Sequence, residues 1–291
     1  MKILIAGKNG QVGSCLVDQL STMSDVTLLA LDRDQLDITD TTQVNKVIAE
    51  FNPNIIINAA AYTAVDKAEQ ESELAYTINS DGPHNLSVAA NEINATIIHI
   101  STDYVFAGDS HESYVESDQT DPQGEYGRSK LAGEQAVERG CSRHIILRTA
   151  WVFGEHGNNF VKTMLRLGKT RDTIGVVADQ FGGPTYAGDI AKAIAAISQQ
   201  IINGNQAYGI YHYSGFPHVN WYTFAEKIFD IALEQGVLKQ SIQVNPIMTQ
   251  DYPTPAKRPA NSRLNCHKID SVFGIYQSDW QAALTRIQEY S

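Results

Sequence analysis

Cysteine is scarce in this chain: three among 291 residues, at positions 15, 141 and 266. The number is odd, the three are far apart, and no C-x-x-C spacing occurs, which excludes a disulfide framework and a thiolate zinc site and fits the reduced thiols of a cytosol. A surplus of positive charge is also missing. Twenty-two Lys and Arg stand against 33 Asp and Glu, for a net charge of -11. Nucleic acid is therefore not an expected partner, because phosphate backbones need a basic footprint, and an anionic membrane surface would repel the chain. Long apolar runs are absent too. After Met1-Lys2 the stretch Ile3 to Ala6 meets glycine at once, too soon for a signal-peptide core or a membrane span, so the expected location is cytoplasmic. None of the eight histidines stands in a metal-type spacing, and no metal site is expected.

What is present is an ordinary globular balance, 43% hydrophobic and 19% charged, in a chain long enough for one large domain or two small ones. Through the first half, strand-like apolar runs (Lys2 to Ala6, Thr27 to Leu31, Ile55 to Ala59, Thr96 to Ile100, Ile145 to Leu147) alternate with segments long enough for crossover helices (Gln11 to Leu20, Thr42 to Phe51, Ser72 to Asn91, Gly127 to Arg139). Alternation of this kind predicts βαβ units around a buried parallel sheet. Beyond about Trp151 it weakens, and glycine, proline and aromatic residues gather in Glu155 to Asn159, Gln180 to Tyr186 and Met248 to Pro259. Helices are expected at Asp189 to Gln199 and Thr223 to Glu234. The reading is an α/β chain with a doubly wound sheet in residues 1-150 and a smaller, mainly substrate-binding part in 151-291, of which about 185-215 packs back onto the sheet.

Gly7-Lys8-Asn9-Gly10-Gln11-Val12-Gly13 directly follows the first strand and opens the first helix, the context that makes a glycine-rich turn a dinucleotide fingerprint. Gly7 permits the tight turn and Gly10 lets backbone approach a pyrophosphate. Gly13 brings strand and helix together, so that the helix N-terminus faces the phosphates. Nineteen residues past Gly13 lies Asp32, near the place of the acid that binds the adenosine ribose. The fold class is thus Rossmann-type, and the cofactor is NADPH or NADH. Asp32 alone favours NAD and the adjacent Arg33 favours the 2'-phosphate of NADP. The cluster Asp32, Asp34, Asp37 and Asp40 fails as a calcium loop, since it lacks the required glycine and terminal glutamate.

Tyr126 and Lys130 stand four residues apart, on one face of a helix. Hydride reduction of a ketone leaves an alkoxide that needs a proton; a phenol with a pKa near ~10 can supply it, and a neighbouring ammonium stabilises the phenolate. Ser101-Thr102-Asp103 follows the fourth strand, which places a hydroxyl and a carboxyl at the carboxyl edge of the sheet, where open α/β folds bind ligands.

With these motifs in this order the chain resembles the extended short-chain dehydrogenase/reductases over essentially its whole length. The resemblance runs through the glycine turn, Asn58 to Glu69, Ser101 to Phe106, Tyr126 to Glu134, Arg148 to Phe153, Gly157 to Phe160, Asp179 to Thr185 and Arg258 to Leu264. It implies reduction of the C4 ketone of dTDP-6-deoxy-L-lyxo-4-hexulose to dTDP-L-rhamnose, with a dTDP-sugar as the partner molecule and a homodimer compatible with the family. Tyr126 would donate the proton. Lys130 would hold the nicotinamide ribose, Thr102 would hydrogen-bond the sugar, and Asp103 would assist. Gly10, Gln11, Val12, Asp32, Asp37, Ile38 and the turn Ala61-Tyr62-Thr63 would contact the cofactor, and Trp151 the sugar; relatives often carry histidine at Tyr62.

In the second half each residue keeps two readings. Trp151 is core packing or a wall of the sugar site. Asn158, Asn159 and Gln180 are loop-capping amides or partners of the sugar nucleotide. Arg258, after Lys257, is a solvated cation or meets the diphosphate. His99, inside an apolar strand, is read as a satisfied core histidine. Two other activities compete. A 4,6-dehydratase or 4-epimerase keeps the fold, but similar dehydratases carry Asp-Glu after the strand-end threonine, where Tyr104 follows Asp103 here. A non-catalytic regulatory module, such as the family's methionine adenosyltransferase subunit, has no need of an intact Thr102, Tyr126 and Lys130.

Overall fold

A computed structural model describes residues 1-290. Five strands of the first half, β1 (Lys2–Ala6), β2 (Thr27–Leu31), β3 (Ile55–Asn58), β4 (Thr96–Thr102) and β5 (His144–Thr149), join the edge strand Gly209–His212 in one six-stranded sheet. All of its pairings are parallel, in the spatial order β2, β1, β3, β4, β5 and Gly209–His212. Such a sheet must be covered on both faces, and the strands read accordingly: every residue of β3 is buried, and Ile3 to Ala6 of β1 are buried as well. One face packs on the helices Gln11–Leu20 and Ala187–Ile202, with Ile269 and Phe273 of the helix His267–Phe273 closing the same core. The other face packs on Thr41–Phe51, Gly82–Glu92 and Glu125–Gly140. Because β2 lies on one side of β1 and β3 on the other, the chain reverses direction of winding at β1, which opens a crevice at the carboxyl ends of β1 and β3.

The second half supplies a strand and a helix to this sheet and builds a core of its own. There the helices Phe160–Gly168 and Trp221–Glu234 pack with the parallel pair Thr173–Val177 and Gln243–Ile247. Phe224 and Trp280 are fully buried at its centre. The expected crossover helix from Ser72 to Asn91 is not uniform. It starts as Ser72–Tyr76, widens to a π-helical turn over Thr77–Asp81 and continues as Gly82–Glu92. A π turn inserts one extra residue into the helical path, and here it turns the buried Asn79 toward the carboxyl edge of the sheet.

Candidate active site

The three fingerprint glycines are required for three different reasons. Gly7 has φ of +88°, and a Cβ there would stand 2.6 Å from the Ala60 nitrogen on the neighbouring loop. A Cβ on Gly13 would sit 2.1 Å from the Gly7 carbonyl oxygen, so this glycine sets how closely the helix Gln11–Leu20 meets β1. A Cβ on Gly10 meets only ordinary contacts, at 3.5 and 3.8 Å from backbone oxygens. The space over Gly10 therefore lies outside the protein, and Gly10 is the N-cap of a helix with no side-chain cap, whose first amide groups point free into the crevice.

That crevice is a groove of about 340 Å3 lined by Gly7, Gly10, Asp32, Arg33, Asp37, Ile38 and Ala59 to Ala61, among others. Asp32 lies 3.3 Å from the Lys8 ammonium and accepts from Asn9 and the Gln35 amide. Desolvation pushes its carboxyl pKa up, but these donors together win and hold it below the ordinary value. Asp37 is lowered as well, chiefly by the Thr39 amide and hydroxyl at 3.0 and 2.7 Å. Both acids stay ionised, which suits them to accept from ribose hydroxyls. An uncapped helix end, an open approach over Gly10 and an acid on the second strand fit a dinucleotide. At the turn Ala61 to Thr63, Asn79 accepts from the Tyr62 amide at 2.8 Å and donates to the Tyr62 carbonyl at 3.0 Å. The Tyr62 phenol donates to Glu71 at 2.6 Å, which raises its pKa to about 12 and turns the ring to a structural use.

Tyr126 and Lys130 occupy the first turns of Glu125–Gly140. Asn79 also donates to Ser129, whose hydroxyl donates to the Tyr126 carbonyl, so the π turn fixes this helix start against the groove wall. The Lys130 amino group donates to the Ile100 carbonyl at 2.8 Å and lies 3.5 Å from His99 Nε2. Burial lowers its pKa to about 8, against the pull of Glu134. Thr102 donates to Asp103 at 3.0 Å and accepts from the Tyr104 amide. Burial raises Asp103 to about 6, opposed by the Ser262 and Thr102 hydroxyls. The second Asp103 oxygen and the Ser262 hydroxyl are nevertheless buried without a hydrogen bond of normal geometry.

One sequence expectation meets a different balance here. The four-residue spacing implies that Lys130 acidifies Tyr126, but burial, followed by the charge of Asp103, raises the phenol well above its ordinary value, with the Thr102 hydroxyl opposing. The phenol is thus held protonated, ready to give up its proton only to a stronger base.

On the other side lies a cavity of about 690 Å3 whose walls include Asp66, Tyr104, Trp151, Gln180, Trp221, Arg258 and Ser262. Trp151 has φ of 50° and stacks on Trp221 at 3.5 Å between centroids, 12° from parallel. The Arg258 guanidinium donates to Asp66 at 2.6 Å and to the Tyr104 hydroxyl at 3.2 Å, and is not a free surface cation; Lys257 turns away to Gln123. Gln180 is buried and donates to Thr249 at 3.0 Å. Asn159 caps the helix Phe160–Gly168 and donates to Gln11 at 3.0 Å, whereas Asn158 is exposed on the loop before it and outside the cavity wall. Tyr104 lies in this wall and packs edge-on against Tyr126 at 5.4 Å. Contacts therefore lead from Tyr126 and Asp103 to the cavity, and from Lys130 through His99 and Asn58 to Ala60 in the groove wall.

Sequence reasoning missed Asn79, Asp66, Trp221 and Ser262. Asp66 and Ser262 fall inside the quoted family-like segments, which was a usable signal. Nothing local marks Trp221, 70 positions beyond Trp151, or a π turn at Asn79.

A doubly wound sheet with a glycine turn at its switch point, strand-end hydroxyls and a helical Tyr/Lys pair defines the class of Rossmann-type extended short-chain dehydrogenase/reductases. Within it, the chain belongs to the family described as the RmlD substrate binding domain, whose model matches residues 1-290. It is 52% identical over 291 residues to the dTDP-4-dehydrorhamnose reductase of Aggregatibacter actinomycetemcomitans, covering 100% of this chain and 99% of that one. Among solved structures it is similar to a dTDP-4-dehydrorhamnose reductase of Clostridium acetobutylicum, with 41% identity, a TM-score of 0.92 and 99% of each chain covered. The Bacillus anthracis dTDP-4-dehydrorhamnose reductase, solved in complex with NADP, matches at 40% identity and a TM-score of 0.90 over 100% of this chain and 99% of that one.

Proposed function

We propose that this chain is an NAD(P)H-dependent oxidoreductase that reduces the C4 ketone of dTDP-4-dehydrorhamnose to give dTDP-L-rhamnose, in the cytoplasm. The observation that carries the reading is that Tyr126, Thr102 and Asp103 face one another, with Lys130 one turn on in the helix of Tyr126, and that contacts lead from Lys130 to the glycine-turn groove and from Tyr126 to the aromatic cavity. Bound in the groove, a nicotinamide supplies the hydride. The amides of Gly10 to Gly13 cradle the pyrophosphate, and Asp32 takes the adenosine ribose. Asp37, Ile38 and the backbone of Ala61 to Thr63 line its course. Arg33 beside Asp32 admits a 2'-phosphate, so both NADPH and NADH are accepted.

On the sugar side, Thr102 and Asp103 hold the substrate by its hydroxyl and carbonyl groups, and the Tyr126 phenol gives its proton to O4 as negative charge develops there. Lys130 holds the nicotinamide ribose and stabilises the phenolate that remains. Trp151 offers a flat apolar face to the sugar nucleotide, with Gln180 as amide partner and Arg258 placed for the diphosphate. Asn158 joins this set only by movement of its exposed loop.

The test follows absorbance loss of NADPH and of NADH with the purified chain and the dTDP-4-keto-6-deoxy sugar, with identification of the product. Stoichiometric oxidation and dTDP-L-rhamnose are expected; no net oxidation would point to an epimerase. Tyr126→Phe is expected to lower kcat by about 10²- to 10⁴-fold, the range for a positioned general acid, while dinucleotide affinity stays. Undiminished turnover in that variant would remove Tyr126 as the acid.

A further inference from the structure

Asn58, His99 and Lys130 form a buried polar row beneath the cluster, at 1%, 0% and 2% exposure. Asn58 and His99 are register partners on β3 and β4. The orientation of each member follows from its neighbours. The Ala60 amide donates to Asn58 Oδ1 at 3.1 Å, so the Asn58 nitrogen is the atom facing His99 Nδ1, at 3.0 Å. An amide nitrogen only donates, and His99 Nδ1 must therefore accept. A neutral imidazole that accepts at Nδ1 carries its proton on Nε2, the atom 3.5 Å from Lys130 Nζ. An ammonium has three protons and no lone pair, so Nε2–H and a charged Lys130 would meet as two donors. A neutral amine resolves the conflict: its lone pair accepts from Nε2–H while it still donates to the Ile100 carbonyl at 2.8 Å.

We propose that His99, locked by Asn58 in the tautomer protonated on Nε2, is a positioning residue that biases Lys130 toward the neutral amine and ties its charge state to the groove-wall loop at Ala60. The other groups that face Lys130 do not supply this bias. Glu134, one turn on in the same helix, favours the ammonium and is itself held by Arg148 of β5 through hydrogen bonds of 2.9 and 2.7 Å. Tyr126, one turn earlier, is held protonated and uncharged. Burial acts in the same direction as His99 and also keeps the imidazole from protonating. Displacing Ala60, for example as the groove fills, would free Asn58 to rotate, let His99 turn to the other tautomer and allow Lys130 to charge. The inference rests on the reductase reading only for its effect on turnover; the charge state itself is measurable without substrate.

The experiment is NMR on the free, full-length protein. Ring 15N shifts of labelled histidine, with His99 assigned by its absence in His99→Phe, are expected to show the neutral Nε2–H tautomer at pH 7. An Nδ1–H tautomer or an imidazolium would overturn the proposal, and this reading needs no variant to fold. Side-chain 13C shifts of labelled lysine, with Lys130 assigned through Lys130→Arg, are expected to titrate well below an ordinary lysine. In folded His99→Phe the midpoint is expected to rise by about one pH unit, a tenfold gain in proton affinity. The corresponding limb of the kcat/KM pH profile should move with it, which a merely structural role would not produce. A midpoint that stays put in His99→Phe would sink the idea while leaving the reductase assignment intact.

Discussion

Around the groove, from Gly7 to Ala61, the part that meets a pyrophosphate is backbone, a glycine turn leading into an uncapped helix start, while Asp32, Arg33, Asp37 and Ile38 add side chains farther along the wall. Around the cavity, from Trp151 to Ser262, it is made of side chains from distant segments, with two tryptophans stacked face to face and an arginine shared between Asp66 and Tyr104. Backbone recognition demands the absence of side chains and tolerates little addition. Side-chain recognition distributes its energy over several groups, each of which can be lost at moderate cost. The two walls should therefore fail differently when changed.

The largest effect is expected where a methyl group meets backbone. Gly13→Ala places Cβ 2.1 Å from the Gly7 carbonyl. No rotamer relieves that contact, and a loss of about 3 kcal/mol, the upper end of ordinary overpacking, is expected in denaturant melts together with loss of dinucleotide binding. Gly10→Ala sharpens the contrast, since its Cβ meets nothing closer than 3.5 Å. Its stability should be unchanged while dinucleotide affinity falls, as titration of NADPH fluorescence would read. Equal destabilisation by both variants would erase the distinction between a packing glycine and a ligand-approach glycine.

The same contrast explains what the sequence discloses. β1 and β2 lie where the apolar runs Lys2 to Ala6 and Thr27 to Leu31 lie; β1 is buried beyond Lys2 and so has no polar face to blur its ends, whereas the edge strand β2 buries only Leu31 and is marked by its apolar content alone. The groove follows from a contiguous heptad of residues after the first strand, a local signal. The cavity does not. Trp151 meets Trp221 and Asp66 meets Arg258 through pairings that no local period encodes. The edge strand Gly209–His212 falls in the stretch of about 185-215 read as packing back onto the sheet, but no local pattern marks it as a strand; it is defined by its parallel pairing with β5. His99 was legible as a buried histidine, but its partners arise from strand register and a helix on the covering layer.

A second prediction concerns the cluster between the walls. The Asp103 carboxyl has its pKa raised to about 6 by burial, so its folded-state value exceeds that of the unfolded chain. The folded state then binds the proton more tightly, and this group's contribution to stability is fully present below about pH 4 and lost as pH rises through about 6. Asp103→Asn removes that dependence, and the amide keeps an oxygen for the Thr102 hydroxyl. The variant should match the parent near pH 4 and exceed it, on the order of 3 kcal/mol, above pH 7, with much lower turnover. A variant no more stable at pH 8 than the parent would mean that Asp103 is better solvated than its burial indicates.

The smallest effect is expected on the side-chain wall itself. Trp221 stacks on Trp151 and touches Phe160 and Phe224, so it supports the face that Trp151 offers to the cavity. Aromatic pairs contribute about 0.5–1.5 kcal/mol beyond burial, so Trp221→Ala should raise KM for the sugar nucleotide about two- to tenfold. Dinucleotide affinity should not change, since Trp221 lies in the cavity wall and not in that of the groove. Trp151→Ala should act on the same term, and because the two rings form one platform the double variant should cost less than the sum of the singles. Strict additivity would show that the tryptophans serve the cavity separately, and an equal loss of NADPH affinity would show that the two walls are not independent.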